Sequence, residues 1–299
     1  MMGDDWIQPG TLWSRVVAQT QHALACSALH PIATHYDWVE QNGIRFLVRV
    51  LANLQRKDKA KRDQKRRKDF NPFLPYEADL FVADLSPTHL VLLNKFNVMD
   101  HHILIVTRAF ESQDSLLTEA DFQALALGLS EIDGLAFYNG GKTAGASQPH
   151  KHLQIVPLPF VPDGSPLPLD PYMTEIVLNG TMGRNSQLPY RHAIAPLDAI
   201  DFAQPLIVAP LLYHLYQQLL QTLHLLPEDA EPQQPRQAYN LLATRRWLAL
   251  VPRSQERFGK IEVNSLGFAG ALLVKTPDLL DEVREVGPLT VLTAVGEAV

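Results

Sequence analysis

The sequence predicts an α+β protein built around a mainly antiparallel sheet with flanking helices. Residues 89–96 and 102–107 are short apolar runs rich in Leu, Ile and Val, a composition typical of buried strands. Residues 99–101 between them are short enough for a hairpin or near-hairpin loop. Apolar residues at helical spacing follow over 122–132. The order strand, strand, helix, strand favours an α+β layer.

The remaining elements of the first half follow from local signals. Residues 10–29 have loose helical spacing, and residues 44–54 have the composition of a strand. Thr118 is predicted to cap the helix that follows it, with Asp121 at the third position as a capping-box partner. Gly134 ends this helix, and a short strand at residues 135–138 comes next.

We divide the chain into an N-terminal half, residues 1–160, a Pro-rich connection, residues 161–192, and a C-terminal half, residues 193–299. The C-terminal half is predicted to contain a helix with apolar residues on one stripe, a hairpin and a further strand. The helix stripe runs from Leu212 to Leu223, the hairpin pairs 238–243 with 247–251, and the strand covers 268–275. No internal repeat of useful length is visible. Because both halves contain strand pairs, we expect them to pack as one composite domain.

Composition indicates a globular protein with ordinary proportions of hydrophobic (46%) and charged (19%) residues. No apolar run reaches the ~18 residues of a membrane span, so no membrane association is expected. The N-terminus lacks the layout of a signal peptide. Cys26 is the single cysteine of the sequence, which excludes an internal disulfide and a multi-thiolate metal site. Together these features predict a reducing, cytoplasmic setting.

The net charge of −6 is unevenly distributed. Residues 56–68 contain nine basic and two acidic side chains, a local charge of +7 that leaves −13 for the rest of the chain. An acidic protein with one short basic stretch is a poor general binder of nucleic acid. The basic segment suits a small, highly charged anion, and a solvated charged loop is the simpler alternative.

The most informative segment is the strand predicted over residues 150–156. Alternation along a strand places His150, His152 and Gln154, here called the histidine row, on one face and Lys151 on the other. A neutral imidazole can attack an activated phosphoryl group to give a covalent nucleotidyl-histidine. Such a site needs the second ring nitrogen held by an acceptor, and hydrogen-bond donors for the phosphate oxygens. A metal-binding His pair and a structural His are the alternatives, and no Asp, Glu or Cys follows nearby to complete a metal site.

A glycine-rich loop, residues 140–149, precedes the histidine row. Residues 136–143 match the loose form of a nucleoside-triphosphatase phosphate loop, but that motif requires a helix starting at Lys142 and Thr143. Gly145 and Pro149 disfavour a helix there, so we reject this interpretation. The glycines still allow backbone amides to approach a phosphate.

Residues 139–154, reading NGGKTAGASQPHKHLQ, resemble the signature of the histidine-triad superfamily, with Gln154 replacing the third histidine as in its transferase branch. The form GASQPHKHLQ is similar to that of the diadenosine tetraphosphate (Ap4A) phosphorylases, also called ATP adenylyltransferases. The likeness extends to residues 71–75, 93–96, 102–113, 251–254 and 264–270, and so covers nearly the whole chain. It implies a histidine-triad-like fold.

The resemblance also implies a reaction, in which Ap4A and phosphate give ATP and ADP reversibly. By motif position His152 is the nucleophile that takes AMP, His150 assists, and Gln154 binds the α-phosphate. Contacts to phosphate and ribose are implied for Asn139, Gly145, Ala146, Ser147 and Gln148, and weaker contacts to the polyphosphate for Lys95, Lys57 and Lys260. The implied ligands are Ap4A, ATP, ADP, AMP and phosphate, with sulfate as an open alternative. No permanently bound cofactor and no dedicated metal site are expected, and Mg²⁺ is expected to accompany the nucleotide.

Three other functions remain open from the sequence. A hexose-1-phosphate uridylyltransferase shares the His-x-His-x-Gln logic, but Lys151 stands where that branch typically has proline, and its metal-binding cysteines are absent. A hydrolase would resolve the adenylyl-enzyme with water in place of phosphate. A nucleotide sensor would keep the pocket without turnover, although a pure binder gains little from an exposed nucleophile.

Overall fold

The computed structural model describes residues 7–52, 71–161, 167–226 and 234–299. The basic segment at 56–68, which includes Lys57, therefore lies outside the described residues. The helices are α1 (Leu12–Ala25), α2 (Glu119–Glu131), α3 (Asp170–Thr174), α4 (Pro205–Thr222), α5 (Pro277–Val286) and α6 (Pro288–Val295).

The first seven strands belong to the N-terminal half: β1 (Thr34–Gln41), β2 (Ile44–Leu51), β3 (Phe81–Asp84), β4 (His89–Leu93), β5 (Ile103–Thr107), β6 (Gly134–Gly140) and β7 (His152–Pro157). Eight more follow: β8 (Val177–Asn179), β9 (Met182–Arg184), β10 (Ala193–Pro196), β11 (Tyr239–Ala243), β12 (Trp247–Pro252), β13 (Arg257–Phe258), β14 (Ile261–Glu262) and β15 (Ala271–Val274). The fold is the predicted α+β class with a large antiparallel sheet.

One ten-stranded antiparallel sheet runs through both halves in the order β3-β4-β5-β7-β6-β11-β12-β10-β9-β8. The two halves meet where β6 pairs with β11. Along the chain, the N-terminal half has the order β5, α2, β6, β7, and the C-terminal half has the matching order β10, α4, β11, β12. In the sheet these two sets lie on opposite sides of the β6–β11 junction, so that β7 corresponds to β12 and β5 to β10. The C-terminal half thus repeats the topology of the N-terminal half, a repeat that the sequence did not reveal.

The repeat is hidden because the corresponding side chains differ. Strands β7 and β12 both have six residues and end in proline, but β7 begins with His152 and β12 begins with Trp247. Both first residues are buried: His152 belongs to the histidine row, and Trp247 lies in the apolar core. The chemistry of the histidine row is therefore absent from β12.

Apolar cores cover both faces of the large sheet. Helices α1, α2 and α4 pack on one face through buried residues such as Val16, Phe122 and Leu212. In the C-terminal half the other face packs against a smaller sheet, β1-β2-β15, and against α5 and α6, with Trp247 and Phe46 in this second core. In the N-terminal half that same face carries the histidine row.

Several local predictions are confirmed. Thr118 caps α2, and the capping box with Asp121 is complete. The hairpin of β11 and β12 forms around residues 244–246. Within the described ranges, none of the helices has the length and apolar character needed to cross a bilayer.

Two predicted strands are too long. Residues 94–96 leave the strand after Leu93, and the segment 268–275 begins as a 3₁₀ turn, Ser265–Ala269, before β15 starts at Ala271. Gly270, with φ of +90°, reverses the chain between the turn and the strand. Apolar content alone could not distinguish this buried turn from a strand.

Candidate active site

The histidine row lies in the centre of the N-terminal half, where β7 is paired on both edges with β5 and β6. Residues 108–116, the segment after β5, cover the start of β7. A β-bridge joins Ser112 to His150, and the backbone N–H of Lys151 donates to the carbonyl of Glu111 at 2.8 Å. The backbone that carries the row is thus fixed before any substrate binds.

His152 has the hydrogen bonding that a nucleophilic imidazole requires. Its Nδ1–H donates to the carbonyl oxygen of His150 at 2.8 Å, which leaves the lone pair on Nε2. The side chain is 4% exposed. Burial lowers the pKa of His152 from its usual 6.5 to about 4. The hydrogen bond to the His150 carbonyl opposes this shift, and the nearby His150 ring adds a smaller lowering. The ring is therefore neutral at pH 7, which is the form that can attack phosphorus.

Gln113 holds the backbone of His152, a role that the sequence analysis missed. Its Oε1 accepts the N–H of His152 at 2.8 Å, while its Nε2 donates to the carbonyls of Asn139 (2.9 Å) and His152 (3.2 Å). The Tyr138 hydroxyl in turn donates to the Gln113 carbonyl at 2.6 Å. Gln113 is the last residue of segment 102–113, one of the segments that resemble the family. This resemblance is the sequence signal that could have identified its role.

His150 uses both ring nitrogens within the protein. Nε2–H donates to the carbonyl of Thr107 at 2.8 Å, and Nδ1 accepts from the Asn71 amide at 2.9 Å. The ring of Phe73 packs against both His150 and His152, with centroids 5.6 and 5.3 Å apart. Burial lowers the pKa of His150 as well, although hydrogen bonds to nearby backbone oppose this effect. The geometry therefore favours assistance through the His150 carbonyl, which orients His152.

Gln154 is oriented by a second buried histidine. His102 Nε2–H donates to Gln154 Oε1 at 3.0 Å, and the Asn94 amide donates to His102 Nδ1 at 3.1 Å. Burial is the main cause that lowers the pKa of His102 to about 4, so this ring is neutral too. With Oε1 occupied, the amide Nε2 of Gln154 is the group available to donate to a phosphate oxygen.

The glycine-rich loop forms no α-helix at Lys142, in agreement with the prediction from the sequence. A single 3₁₀ turn, Lys142–Ala144, is followed by Gly145 at φ +94°. A Cβ atom at Gly145 would lie 2.8 Å from Cβ of Asn264, so this position admits only glycine. Beyond the turn, Ser147 is exposed, while Ala146 and Gln148 are partly exposed.

Residues of the C-terminal half hold this loop and the end of β6 in place by hydrogen bonds. Asn139 Oδ1 accepts from Asn240 Nδ2 (2.9 Å) and from the Ser265 hydroxyl (2.8 Å). The guanidinium of Arg253 donates to Asn240 Oδ1 (2.7 Å) and to the carbonyl of Ala144 (3.1 Å). The Arg253 side chain is buried, with 1% of its surface exposed, although an arginine close to a hairpin is usually expected to face solvent. The loop thus depends on residues from both halves.

The predicted lysines stand apart from this arrangement. Lys95 lies beyond the end of β4, not on the strand as expected, and its Nζ pairs with Glu77 at 2.5 Å. Lys260 is exposed in the turn between β13 and β14. Neither is held near His152 by a hydrogen bond or ion pair among the described residues. Their polyphosphate contacts therefore stay predictions, as does that of Lys57.

A buried ionic cluster lies on the opposite face of β7. Lys151 Nζ donates to Glu111 (2.6 Å), to Asp121 (3.3 Å) and to the carbonyl of Leu116 (3.3 Å), and His89 Nε2–H donates to Asp121 at 3.0 Å. Burial favours a raised pKa for Asp121, but hydrogen bonding from His89 and the charge of Lys151 together hold it below its usual value. This cluster ties the start of β7 to the N-terminus of α2.

A buried neutral imidazole with one fixed nitrogen, a carboxamide donor two residues later and a glycine-rich loop define a nucleotidyltransferase of the histidine-triad type. Comparison with known proteins is consistent with this class. The family model described as Ap4A phosphorylase N-terminal domain matches residues 2–175, and the model described as ATP adenylyltransferase C-terminal domain matches residues 186–298. The chain belongs to the Ap4A phosphorylase family and is an enzyme of this type.

Individual relatives agree with the family assignment. Diadenosine 5',5'''-P1,P4-tetraphosphate phosphorylase 2 of Saccharomyces cerevisiae is 32% identical over 247 residues, which are 72% of each chain. Protein APA1 of the same yeast is 28% identical over 219 residues, 67% of this chain and 65% of that protein. A crystal structure of yeast Ap4A phosphorylase Apa2 matches with a TM-score of 0.79 at 23% identity, covering 98% of this chain and 99% of that one. The likeness to Apa2 establishes the fold.

Proposed function

We propose that this enzyme catalyses the reversible phosphorolysis of Ap4A to ATP and ADP through an AMP group bonded to Nε2 of His152. The hydrogen bond from Nδ1 of His152 to the His150 carbonyl carries the proposal, because it directs the lone pair to the other nitrogen. Family membership supports the choice of Ap4A as substrate. Apa2 of yeast has been crystallised with AMP and with Ap4A, which supports nucleotide ligands for this chain.

In the first step Nε2 of His152 attacks the α-phosphorus of one adenylyl group. The P–N bond forms as the P–O bond to the remaining three phosphates breaks, and ATP leaves. The imidazole gains a positive charge, since Nδ1 keeps its proton, and the His150 carbonyl at 2.8 Å stabilises that charge. The Gln154 amide donates to a non-bridging oxygen, where negative charge increases.

In the second step an oxygen of inorganic phosphate attacks the adenylyl-histidine. The P–O bond of ADP forms, the P–N bond breaks, and neutral His152 is restored. The low pKa of this imidazole, about 4, favours its departure from phosphorus without a proton. Sulfate, an oxyanion of similar shape, is a candidate acceptor in this step.

The remaining roles belong to the same proposal. Asn139, near the end of β6, and Gly145, Ala146, Ser147 and Gln148, in the loop that follows, contact phosphate and ribose, supported by their position directly before the histidine row. Lys57, Lys95 and Lys260 are candidates for the polyphosphate chain, where an ammonium acts as a point charge. Mg²⁺ accompanies the nucleotide, and the reaction takes place in the cytoplasm.

The test is the product ratio from Ap4A with and without phosphate. We expect equal amounts of ATP and ADP with phosphate, and almost no turnover without it. Formation of ATP and AMP at the same rate in the absence of phosphate would identify a hydrolase and contradict the proposal. His152→Ala should abolish product formation, whereas His35→Ala, which changes an exposed histidine on β1, should leave it unchanged.

A further inference from the structure

We propose that His22, Cys26 and Asp79 form a binding site for Zn²⁺ or a similar transition-metal ion on the surface of the N-terminal half. His22 Nε2 lies 2.8 Å from Asp79 Oδ1 and 3.9 Å from Cys26 Sγ. The three ligand atoms all lie within 4.8 Å of one another. This cluster is separate from the histidine row and goes beyond the proposed function.

Helix α1 supplies two of the three ligands. His22 and Cys26 are four residues apart, a spacing that places both side chains on the same face of a helix. Cys26 follows the last residue of α1, and its backbone N–H still donates to the His22 carbonyl at 3.0 Å. Helical hydrogen bonding therefore extends to the cysteine, so the backbone keeps the two residues about one helical turn apart.

The third ligand comes from a separate element that is fixed against α1. Asp79 lies in the 3₁₀ turn Ala78–Leu80, just before β3, and its carbonyl accepts a hydrogen bond from Gln19 of α1 at 2.6 Å. Leu80, the next residue, is buried in the same core as Val16 of α1. The backbone on both sides of the cluster is thus set by packing, while the ligand side chains remain free to adjust.

The donor set suits a particular class of ion. A thiolate, an imidazole and a carboxylate favour Zn²⁺ or its neighbours in the transition series over Mg²⁺ and Ca²⁺, which prefer oxygen ligands alone. Around tetrahedral Zn²⁺, with bonds of about 2.0–2.3 Å, adjacent ligand atoms lie roughly 3.3–3.7 Å apart. The imidazole–carboxylate pair must open by about half an ångström, and the thiolate must approach the other two ligand atoms by up to about 1 Å, movements available to exposed side chains.

An ordinary surface ion pair does not account for the whole cluster. The His22 and Asp79 side chains are about half exposed, so their direct pairing contributes little to stability. The pair does not involve the Cys26 thiol, which donates a weak hydrogen bond to the Ala23 carbonyl at 3.7 Å and supplies the soft ligand of the proposed site. Three protein ligands leave a fourth position for water, and metal binding would link α1 to the turn before β3.

Co²⁺ titration of the nucleotide-free full-length enzyme tests this proposal. Co²⁺ replaces Zn²⁺ in such sites, and a Co²⁺–thiolate bond gives a strong charge-transfer band in the near ultraviolet. Because Cys26 is the single cysteine of the sequence, that band reports this site alone. We expect one Co²⁺ per chain with the band, displacement by one equivalent of Zn²⁺, and no band in Cys26→Ser.

Variants of the other two ligands distinguish a three-residue metal site from Co²⁺ binding by Cys26 alone. His22→Gln and Asp79→Asn should each weaken Co²⁺ binding by at least about tenfold, since even partners of metal ligands have effects of that size. His30→Gln, a matched change of an exposed histidine just beyond α1, should leave binding unchanged. Absence of the band at a large excess of Co²⁺, or unchanged affinity in the His22 and Asp79 variants, would overturn the proposal.

Discussion

The ionic cluster behind β7 gives a prediction whose magnitude follows from its hydrogen bonds. We compare Lys151→Met, which keeps the apolar stem of the lysine, with Asp121→Asn, which keeps the shape of the aspartate. Both charged groups are 1% exposed, so the effect of each change depends on what remains unpaired. The two variants remove opposite members of the same ion pair but leave different partners behind.

Lys151→Met leaves its partners largely satisfied. Asp121 keeps the bond from His89 Nε2 at 3.0 Å and two bonds from Thr118, and Glu111, whose side chain is 43% exposed, can bind water instead. Of the three hydrogen bonds that Lys151 loses, those to the partly exposed Glu111 and Leu116 can be replaced by water, so the net loss is about the one charged bond to Asp121, ~1.5–3 kcal/mol. The N–H of residue 151 still donates to Glu111, so the backbone of β7 and the turnover of Ap4A should persist.

Asp121→Asn leaves more groups without partners. Both carboxylate oxygens of Asp121 accept hydrogen bonds, Oδ1 from His89 and Oδ2 from Thr118 and Lys151. The amide of asparagine has only one acceptor oxygen, and its NH₂ group would face hydrogen-bond donors on the other side. The buried ammonium of Lys151 keeps Glu111 as its one carboxylate partner. Breaking a buried pair in this way costs ~3–5 kcal/mol.

Urea unfolding followed by tryptophan fluorescence measures the difference. We expect both variants to unfold at lower urea than the parent, with Asp121→Asn lower than Lys151→Met by an amount equivalent to ~2 kcal/mol. An equal or larger loss for Lys151→Met would refute the reasoning, because it would mean that the lysine, not the carboxylate, organises the cluster.

Three further predictions concern the site. The kcat/KM for Ap4A should stay level from pH 8 downward and fall only near pH 4, since protonation below the lowered pKa of His152 removes the nucleophile; a break near pH 6.5 would contradict this. His102→Ala should lower kcat roughly tenfold or more, because Gln154 loses the donor that orients its amide, and should also lower the thermal midpoint, because a buried side chain is lost. His102→Gln, which restores a donor, should recover part of the rate; equal rates in all three proteins would exclude the role. Gly145→Ala should raise the KM for Ap4A, since its Cβ would meet Asn264, whereas Gly43→Ala, at a similar positive φ in open space, should leave KM unchanged; steady-state kinetics of the pair decides the matter.

The sequence predicted the parts of the fold that depend on local patterns. The capping box of Thr118, the hairpin of β11 and β12 and the α+β class all follow from residues close together in the chain. The repeat of topology between the halves was invisible, because His152 and Trp247 occupy corresponding strand positions with unrelated chemistry. Two halves of a fold can therefore share the same strand order although the side chains at corresponding positions differ in chemistry.

The candidate site was predictable at the histidine row and less so around it. Strand alternation alone placed His152 and Gln154 on one face. The support from Gln113 and from Arg253 depends on contacts between residues 13 or more positions apart, which no local pattern encodes. An arginine beside a hairpin turn also looks like a surface residue unless the partners that bury it are known.

Mass spectrometry of the enzyme after brief exposure to Ap4A without phosphate tests the central claim most directly. We predict one adenylyl group per chain, located on His152 by peptide mapping, lost on addition of phosphate with release of ADP, and absent from His152→Ala. An enzyme that turns over Ap4A fully with no adduct, or an adduct on any other residue, would contradict the account.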